Sequence, residues 1–230
     1  MKKKMVSIIV VLALTIILYK PTDIFVNKNM TLNKVKIVLD PGHGSKDSGA
    51  KYGKLYEADL NLKICYALKS ELQSRGATVY LTRTDDQDMT KRNYNYSKDD
   101  DMYLRAIQID KYEPTLFLSI HLNSSASSAW GSQVFYYDGS DKGKELATII
   151  HNNMKEVTGT RKNISSCHFK ILRTTKALGV LIECGFISNA NERGQLRNSR
   201  YHKKLASSIS DGVEEYLKKE NKLKISNKSK

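Results

Sequence analysis

Three apolar runs in this chain each stop at a residue able to hold a metal or a proton. Val35-Lys36-Ile37-Val38-Leu39 leads into Asp40-Pro41-Gly42-His43-Gly44, Leu116-Phe117-Leu118-Ser119-Ile120 ends in His121, and Gly179-Val180-Leu181-Ile182 ends in Glu183. Apolar, largely β-branched runs that break off in Pro-Gly or in polar residues read as buried strands. In an open α/β sheet, groups at the carboxyl ends of neighbouring strands converge on one crevice. His, His and Glu at three such ends are either a metal site or a coincidence.

Helical patterns separate the strands. Glu57-Ala58-Asp59-Leu60 opens a helix in which Leu60, Ile64, Leu68 and Leu72 recur every four residues, and Gly76 after Arg75 stops it. Glu57 therefore stands at a helix entrance, on the side of the strand ends. Residues 78–82 read as a short strand, 101–111 as a helix closed by Pro114, and 131–137 as another strand. Residues 141–157 form an amphipathic pattern with Leu146, Ile149, Ile150 and Met154 on one face. Residues 169–172 and 179–182 read as strands, and 191–197 and 200–220 as helices. The stretch 45–56 reads as irregular. Residues 83–101, which include Tyr94 and Tyr96, read as a surface loop near the cleft. From Lys218 the chain is basic and poor in apolar residues, the mark of a solvated, disordered tail. This alternation predicts an α/β fold: a single domain with a mostly parallel twisted sheet and helices on both faces. No internal repeat is visible.

At the N-terminus, Lys2-Lys3-Lys4 precedes an almost wholly apolar run from Met5 to Tyr19. A basic flank before an apolar run is the pattern of a secretory signal or signal anchor. The run would span about 22 Å as a helix, short of a ~30 Å hydrocarbon core. No small-residue cleavage site follows, since Tyr19-Lys20-Pro21-Thr22-Asp23 is bulky or charged. The expectation is an uncleaved N-terminal membrane anchor over residues 1–20, with the rest of the chain outside the cytoplasm. A polar linker over 21–33, a catalytic domain over 34–220 and a basic tail over 221–230 complete the division.

Thirty-eight basic against 24 acidic residues leave a formal charge of +14, so the partners of the surface are anionic. Nucleic acid, membrane and an acidic wall all fit that sign. An extracytoplasmic chain without a basic recognition helix argues against nucleic acid. Cys65, Cys167 and Cys184 contain no CxxC pair and read as packed core residues, Cys184 pointing away from the neighbouring Glu183.

Zinc in hydrolases is commonly held by two His and one Glu with a position left for water, and His43, Glu57 and His121 supply that set. Such a metal acidifies water and polarises a carbonyl. Glu183 would then take the water's proton and return it to the leaving nitrogen. His151, His168 and His202 lack this context and read as surface residues. Spacing alone leaves the metal site open, because no compact signature such as HExxH is present.

Leu39-Asp40-Pro41-Gly42-His43-Gly44, Ser119-Ile120-His121-Leu122-Asn123 and Val180-Leu181-Ile182-Glu183-Cys184-Gly185-Phe186-Ile187-Ser188-Asn189 resemble the three signature stretches of zinc-dependent N-acetylmuramoyl-L-alanine amidases. The likeness covers roughly residues 34–220. It implies zinc on His43, Glu57 and His121, catalysis by Glu183, and cleavage of the amide between the lactyl group of muramic acid and the L-alanine of the peptidoglycan stem peptide. Arg83 and Arg105 fall where the family usually carries arginine and are expected to be structural ion-pair residues. Asn123 would line the cleft or bond the loop backbone. One departure is Leu178, where the family often has Pro five residues before the catalytic Glu.

An N-terminal anchor, one catalytic domain and no appended wall-binding repeats are similar to the germination-specific amidases of spore formers, which act in cortex maturation (muramic-δ-lactam formation) and germination. Gly53-Lys54-Leu55-Tyr56-Glu57 and Gly159-Thr160-Arg161-Lys162 resemble their equivalents too. A vegetative wall amidase, a zinc peptidase acting on stem peptides and a non-catalytic wall-binding module are the rival readings. An accessory activating protein and the oligomeric state are left open. No long insertion separates His121 from Glu183, so the site is expected not to be plugged by its own chain.

Overall fold

The structure, a computed structural model, describes residues 30–87, 97–126 and 128–228, with side chains through residue 221. The expected anchor, most of the linker, and Tyr94 and Tyr96 lie outside the described residues. Among the described residues, no helix is long and apolar enough to cross a membrane.

Strands β1 (Lys36–Pro41), β4 (Thr78–Leu81), β5 (Leu116–Asn123), β6 (Gln133–Tyr137), β7 (Ser165–Cys167) and β8 (Gly179–Phe186) form one sheet in the order β4-β1-β5-β8-β6-β7. The pairs β1–β4, β1–β5 and β5–β8 are parallel, and β6 joins β8 antiparallel. A separate two-stranded hairpin, β2 (Lys51–Tyr52) and β3 (Leu55–Tyr56), runs directly into α1 (Glu57–Ser74). The other helices are α2 (Lys98–Lys111), α3 (Asp141–Thr158), α4 (Lys170–Thr174), α5 (Ala190–Leu196) and α6 (Ser199–Lys228).

Period-two alternation sorts the sheet side chains into two cores. Ile37, Leu39, Leu118, Ile120, Val180 and Ile182 face the layer of α1, α3 and α6, where Leu60, Ile64, Ile150, Leu205 and Ile209 are buried. Val38, Phe117 and Leu181 face α2 and α4, against Ala106, Ile109, Ile171 and Leu172. The second layer is thin, because α4 is only five residues long. By the same alternation Asp40, Ser119, His121 and Glu183 project to the thin side, at or near the strand ends. The fold therefore leaves its gap where the reactive side chains gather.

Several expectations need correction. The run 169–172 is not a strand: Phe169 stays extended as the N-cap, Ile171 and Leu172 lie in helix α4, and the strand falls earlier at Ser165–Cys167. A four-residue run with three apolar positions fits either state, and here burial against α2 selects the helix. The stretch 45–56 is not wholly irregular, since it carries the β2–β3 hairpin. Helix α6 continues past Glu220 to Lys228, as no Gly or Pro stops it. His151 and His202 are buried, with Nε2 of each at a carbonyl, Lys162 O at 2.8 Å and Leu196 O at 2.6 Å. Only His168 of the three is exposed. Cys65 and Cys184 are buried core residues as expected.

Candidate functional site

His43 follows β1 through Pro41 and Gly42, and its backbone is left-handed (φ 63°). Gly42 is required by a close approach: a Cβ there would lie 2.2 Å from the His121 ring. Gly49 (φ 64°) clears the other side, where a Cβ would meet Glu57 Oε2 at 2.6 Å. The two imidazoles pack edge to face, centroids 4.9 Å apart.

Glu57 is the first residue of α1 and is buried. Its Oε1 lies 3.1 Å from His43 Nε2 and 3.1 Å from His121 Nδ1, and the three ligand atoms fall within 4.8 Å of one another. A tetrahedral ion bonded at ~2.0–2.1 Å holds its ligand atoms roughly 3.3 Å apart, so the spacing fits zinc. Glu57 is oriented by the N–H of Leu122 on Oε1 (3.1 Å), the N–H of Ala50 on Oε2 (2.8 Å) and Asn61 Nδ2 on Oε1 (3.3 Å). Burial pushes its pKa up, but the two histidines overcome this and hold it far below the usual carboxylate range. Burial likewise disfavours charge on His43, and Glu57 and Asp47 more than reverse it. The pocket is thus built to attract a cation.

Asp47, absent from the expected set, stands behind His43 on the side away from Glu57. Its Oδ2 sits 2.9 Å from His43 Nδ1 and 3.3 Å from Lys98 Nζ. Its Oδ1 accepts the N–H of Gly49 at 3.1 Å. A carboxylate behind a ligating histidine fixes the ring's orientation. The sequence signal was its position four residues after His43 in a Gly-rich loop.

Two buried arginines frame the loop from below. Arg105 pairs with Asp40 (3.0 Å) and Asp101 (2.7 Å), and donates to the carbonyls of Pro41 (2.7 Å) and His43 (2.6 Å). Arg83 donates to the carbonyls of Pro41, Gly42, Ala58 and Asp85 at 2.8–3.0 Å. Arg105 is the structural ion-pair residue expected, whereas Arg83 acts on backbone oxygens. Asp40 joins them: burial raises its pKa, but Arg105 and the hydroxyls of Thr82 and Ser119 outweigh it and hold the carboxylate charged.

Glu183 stands opposite His121 in the β5–β8 register. Its Oε2 is buried and accepts no hydrogen bond from any described residue. Burial raises its pKa to about 7, the charge of Glu57 adds to this, and the two histidines oppose it. A carboxyl poised near neutrality is suited to exchange protons with a substrate. His43, Asp47, His121 and Glu183 share one cleft of about 350 Å³, whose far wall is made by Lys98, Met102, Phe169 and Lys170. Asn123, half-buried one bulge beyond His121, gives its carbonyl to the N–H of Ile187 at 2.9 Å.

Comparison with known proteins matches residues 37–215 to the family described as N-acetylmuramoyl-L-alanine amidase. The chain is 36% identical over 189 residues to the germination-specific N-acetylmuramoyl-L-alanine amidase of Bacillus subtilis, covering 79% of each. It superposes with a TM-score of 0.76 and 32% identity on the CwlD amidase from Clostridioides difficile, a structure solved in complex with the GerS lipoprotein, over 80% of this chain and 98% of that one. The catalytic domain of CwlV, an amidase from Bacillus (Paenibacillus) polymyxa, gives a TM-score of 0.69 at 32% identity, with 80% and 98% covered.

Proposed function

Because the chain belongs to the N-acetylmuramoyl-L-alanine amidase family and is an enzyme of that activity on peptidoglycan, we propose that it is a zinc enzyme whose ligands are His43, Glu57 and His121 and whose proton-transfer group is Glu183. The observation that carries this reading is the meeting of three ligand atoms within 4.8 Å at a cleft lined by His43, His121 and Glu183, where Glu183 Oε2 is buried without a hydrogen-bond partner among the described residues. Zinc bound there supplies a Lewis acid that polarises the scissile carbonyl and acidifies water. Asp47 holds His43 in its ligating orientation, and the Leu122 and Ala50 amides do the same for Glu57. Glu183 Oε2 takes a proton from the attacking water as the C–O bond forms at the lactyl carbonyl. As the C–N bond breaks, Glu183 returns that proton to the L-alanine nitrogen, leaving a lactyl carboxyl on the sugar and a free peptide amine. Asn123, at the end of β5, is assigned to the substrate.

The likeness to a germination-specific amidase supports a role in spore cortex, with a vegetative wall amidase as the alternative. The complex of the similar CwlD amidase with the GerS lipoprotein supports an accessory partner for this chain. The lysine flank and apolar run support an extracytoplasmic domain over residues 34–220, held to a membrane by residues 1–20.

Mass spectrometry of muropeptides after digestion of purified peptidoglycan tests the reaction. Free stem peptides with new L-alanine amino termini, abolished by a chelator and restored by zinc, are expected. Shortened stems still attached to sugar would instead make the enzyme a peptidase.

A further inference from the structure

Beyond Glu183, β8 runs into residues 186–193, which fasten two exposed aromatic side chains. Arg193 on α5 donates through Nη1 to the carbonyls of Ile187 (2.9 Å) and Ser188 (3.1 Å). Pinned in this way, its guanidinium carbon sits 3.4 Å from the centre of the Tyr52 ring. Tyr52 is 52% exposed and belongs to the hairpin that leads directly into Glu57. On the other flank, Glu192 Oε2 accepts the N–H groups of Phe186 (2.9 Å) and Gly131 (3.0 Å), and Asn189 Nδ2 donates to Ala129 O at 3.2 Å. Between Ala129 and Gly131 stands Trp130, 41% exposed and the only tryptophan of the chain.

Folding gains little from aromatic rings left half in water, yet here a cation backs one of them and a buried carboxylate brackets the loop of the other. An open aromatic face carries negative quadrupole charge and receives the polarised C–H groups of a sugar ring. The cleft itself is lined by Lys98, Met102, Phe169 and Lys170 together with His43, His121 and Glu183, two cations and two apolar groups that suit a peptide.

We propose that Tyr52, backed by Arg193, and Trp130 form a carbohydrate-stacking platform that carries the glycan strand on the hairpin side of the cleft, while the stem peptide runs along the side of Lys98 and Lys170. This rests on the peptidoglycan reading and adds the polarity of the polymer across the site.

The test uses the full chain carrying Glu183→Gln and titrates it with glycan strands freed of their stem peptides. Calorimetry reads affinity and Trp130 emission reads contact. The strands are expected to bind and to change the emission. Tyr52→Ala and Arg193→Ala should each weaken binding roughly ten-fold, the size of one lost stacking contact, while Tyr52→Phe keeps it. Strands that fail to bind, that bind the Tyr52→Ala chain as tightly, or that leave Trp130 emission unchanged overturn the platform. The two readings fail separately. A wild-type chain that frees stem peptides while its glycan affinity ignores Tyr52 refutes the platform and spares the amidase. Tyr52-dependent glycan binding without any released peptide supports the platform and refutes the reaction.

Discussion

Glu183 is the residue whose environment sets the pH behaviour. Glu183→Gln should keep the metal and lose roughly 10²–10⁴-fold in rate, the range of a general acid–base group. A bound dication favours the carboxylate, so the acidic limb of the wild-type kcat/KM should fall at or below about pH 7 and vanish in the variant. Stability carries the same signature in chelator-treated protein. Burial raises the folded carboxyl from its ordinary 4.5 to about 7, so the folded state holds its proton more tightly. That contribution is fully present below the lower value and is lost as pH rises through the upper one, on the order of 3 kcal/mol. Urea unfolding of the metal-free proteins should find Glu183→Gln more stable than wild type at pH 8, by an advantage that disappears at pH 4. Gly42→Ala tests the neighbouring approach: its Cβ would displace the His121 ring, and metal analysis should show zinc lost while far-UV circular dichroism persists. The meeting of His43, Glu57 and His121, with Glu183 opposite His121, was legible because each follows or opens a clear apolar or helical pattern, although β5 and β8 run on to Asn123 and Phe186. Asp47 was not, since nothing in a polar loop tells an aspartate set behind a histidine from a solvated one. His151 and His202 were misread because a histidine bonded to a carbonyl looks, in sequence, like any polar position on a helix.

At the scale of elements, the strands of the parallel core were readable because apolar residues with no break for water can only be buried on both faces. Their ends carried the site with them. The 165–174 region was not readable: Ser165-Ser166-Cys167 has no strand signature, and it pairs with β6 only because β6 is already held antiparallel to β8. The same dependence on neighbours governs the loop after β1, which is framed by α2 through Arg105. Arg105→Met would leave Asp40 buried without its cation, and loss of one partner of a buried pair costs about 3–5 kcal/mol. Denaturant titration should show that loss, with a matching fall in zinc affinity because the His43 carbonyl loses its donor.

For the whole molecule, the decisive asymmetry is between the two helical layers: among the described residues α1, α3, α5 and α6 pack on one face, and α2 with a five-residue α4 on the other. Alternation of strands and helices announced an α/β sandwich, but which face would be thin depends on how chain segments distribute across the sheet, a property of no single segment. Net charge acts at this scale as well. With +14 on the chain, binding to anionic wall fragments should weaken steadily as salt rises from low to physiological strength, where charges are screened beyond about 8 Å. Co-sedimentation with purified wall across a salt series reads this directly. The frame of Arg83 and Arg105 beneath His43 has a further consequence for the order in which the enzyme is made. These contacts are protein on protein, so the loop takes its shape from the fold, and the fold need not wait for a metal. On the zinc reading proposed above, the chain would fold first and take up its ion afterwards, so that maturation would depend on the supply of metal where the folded enzyme resides.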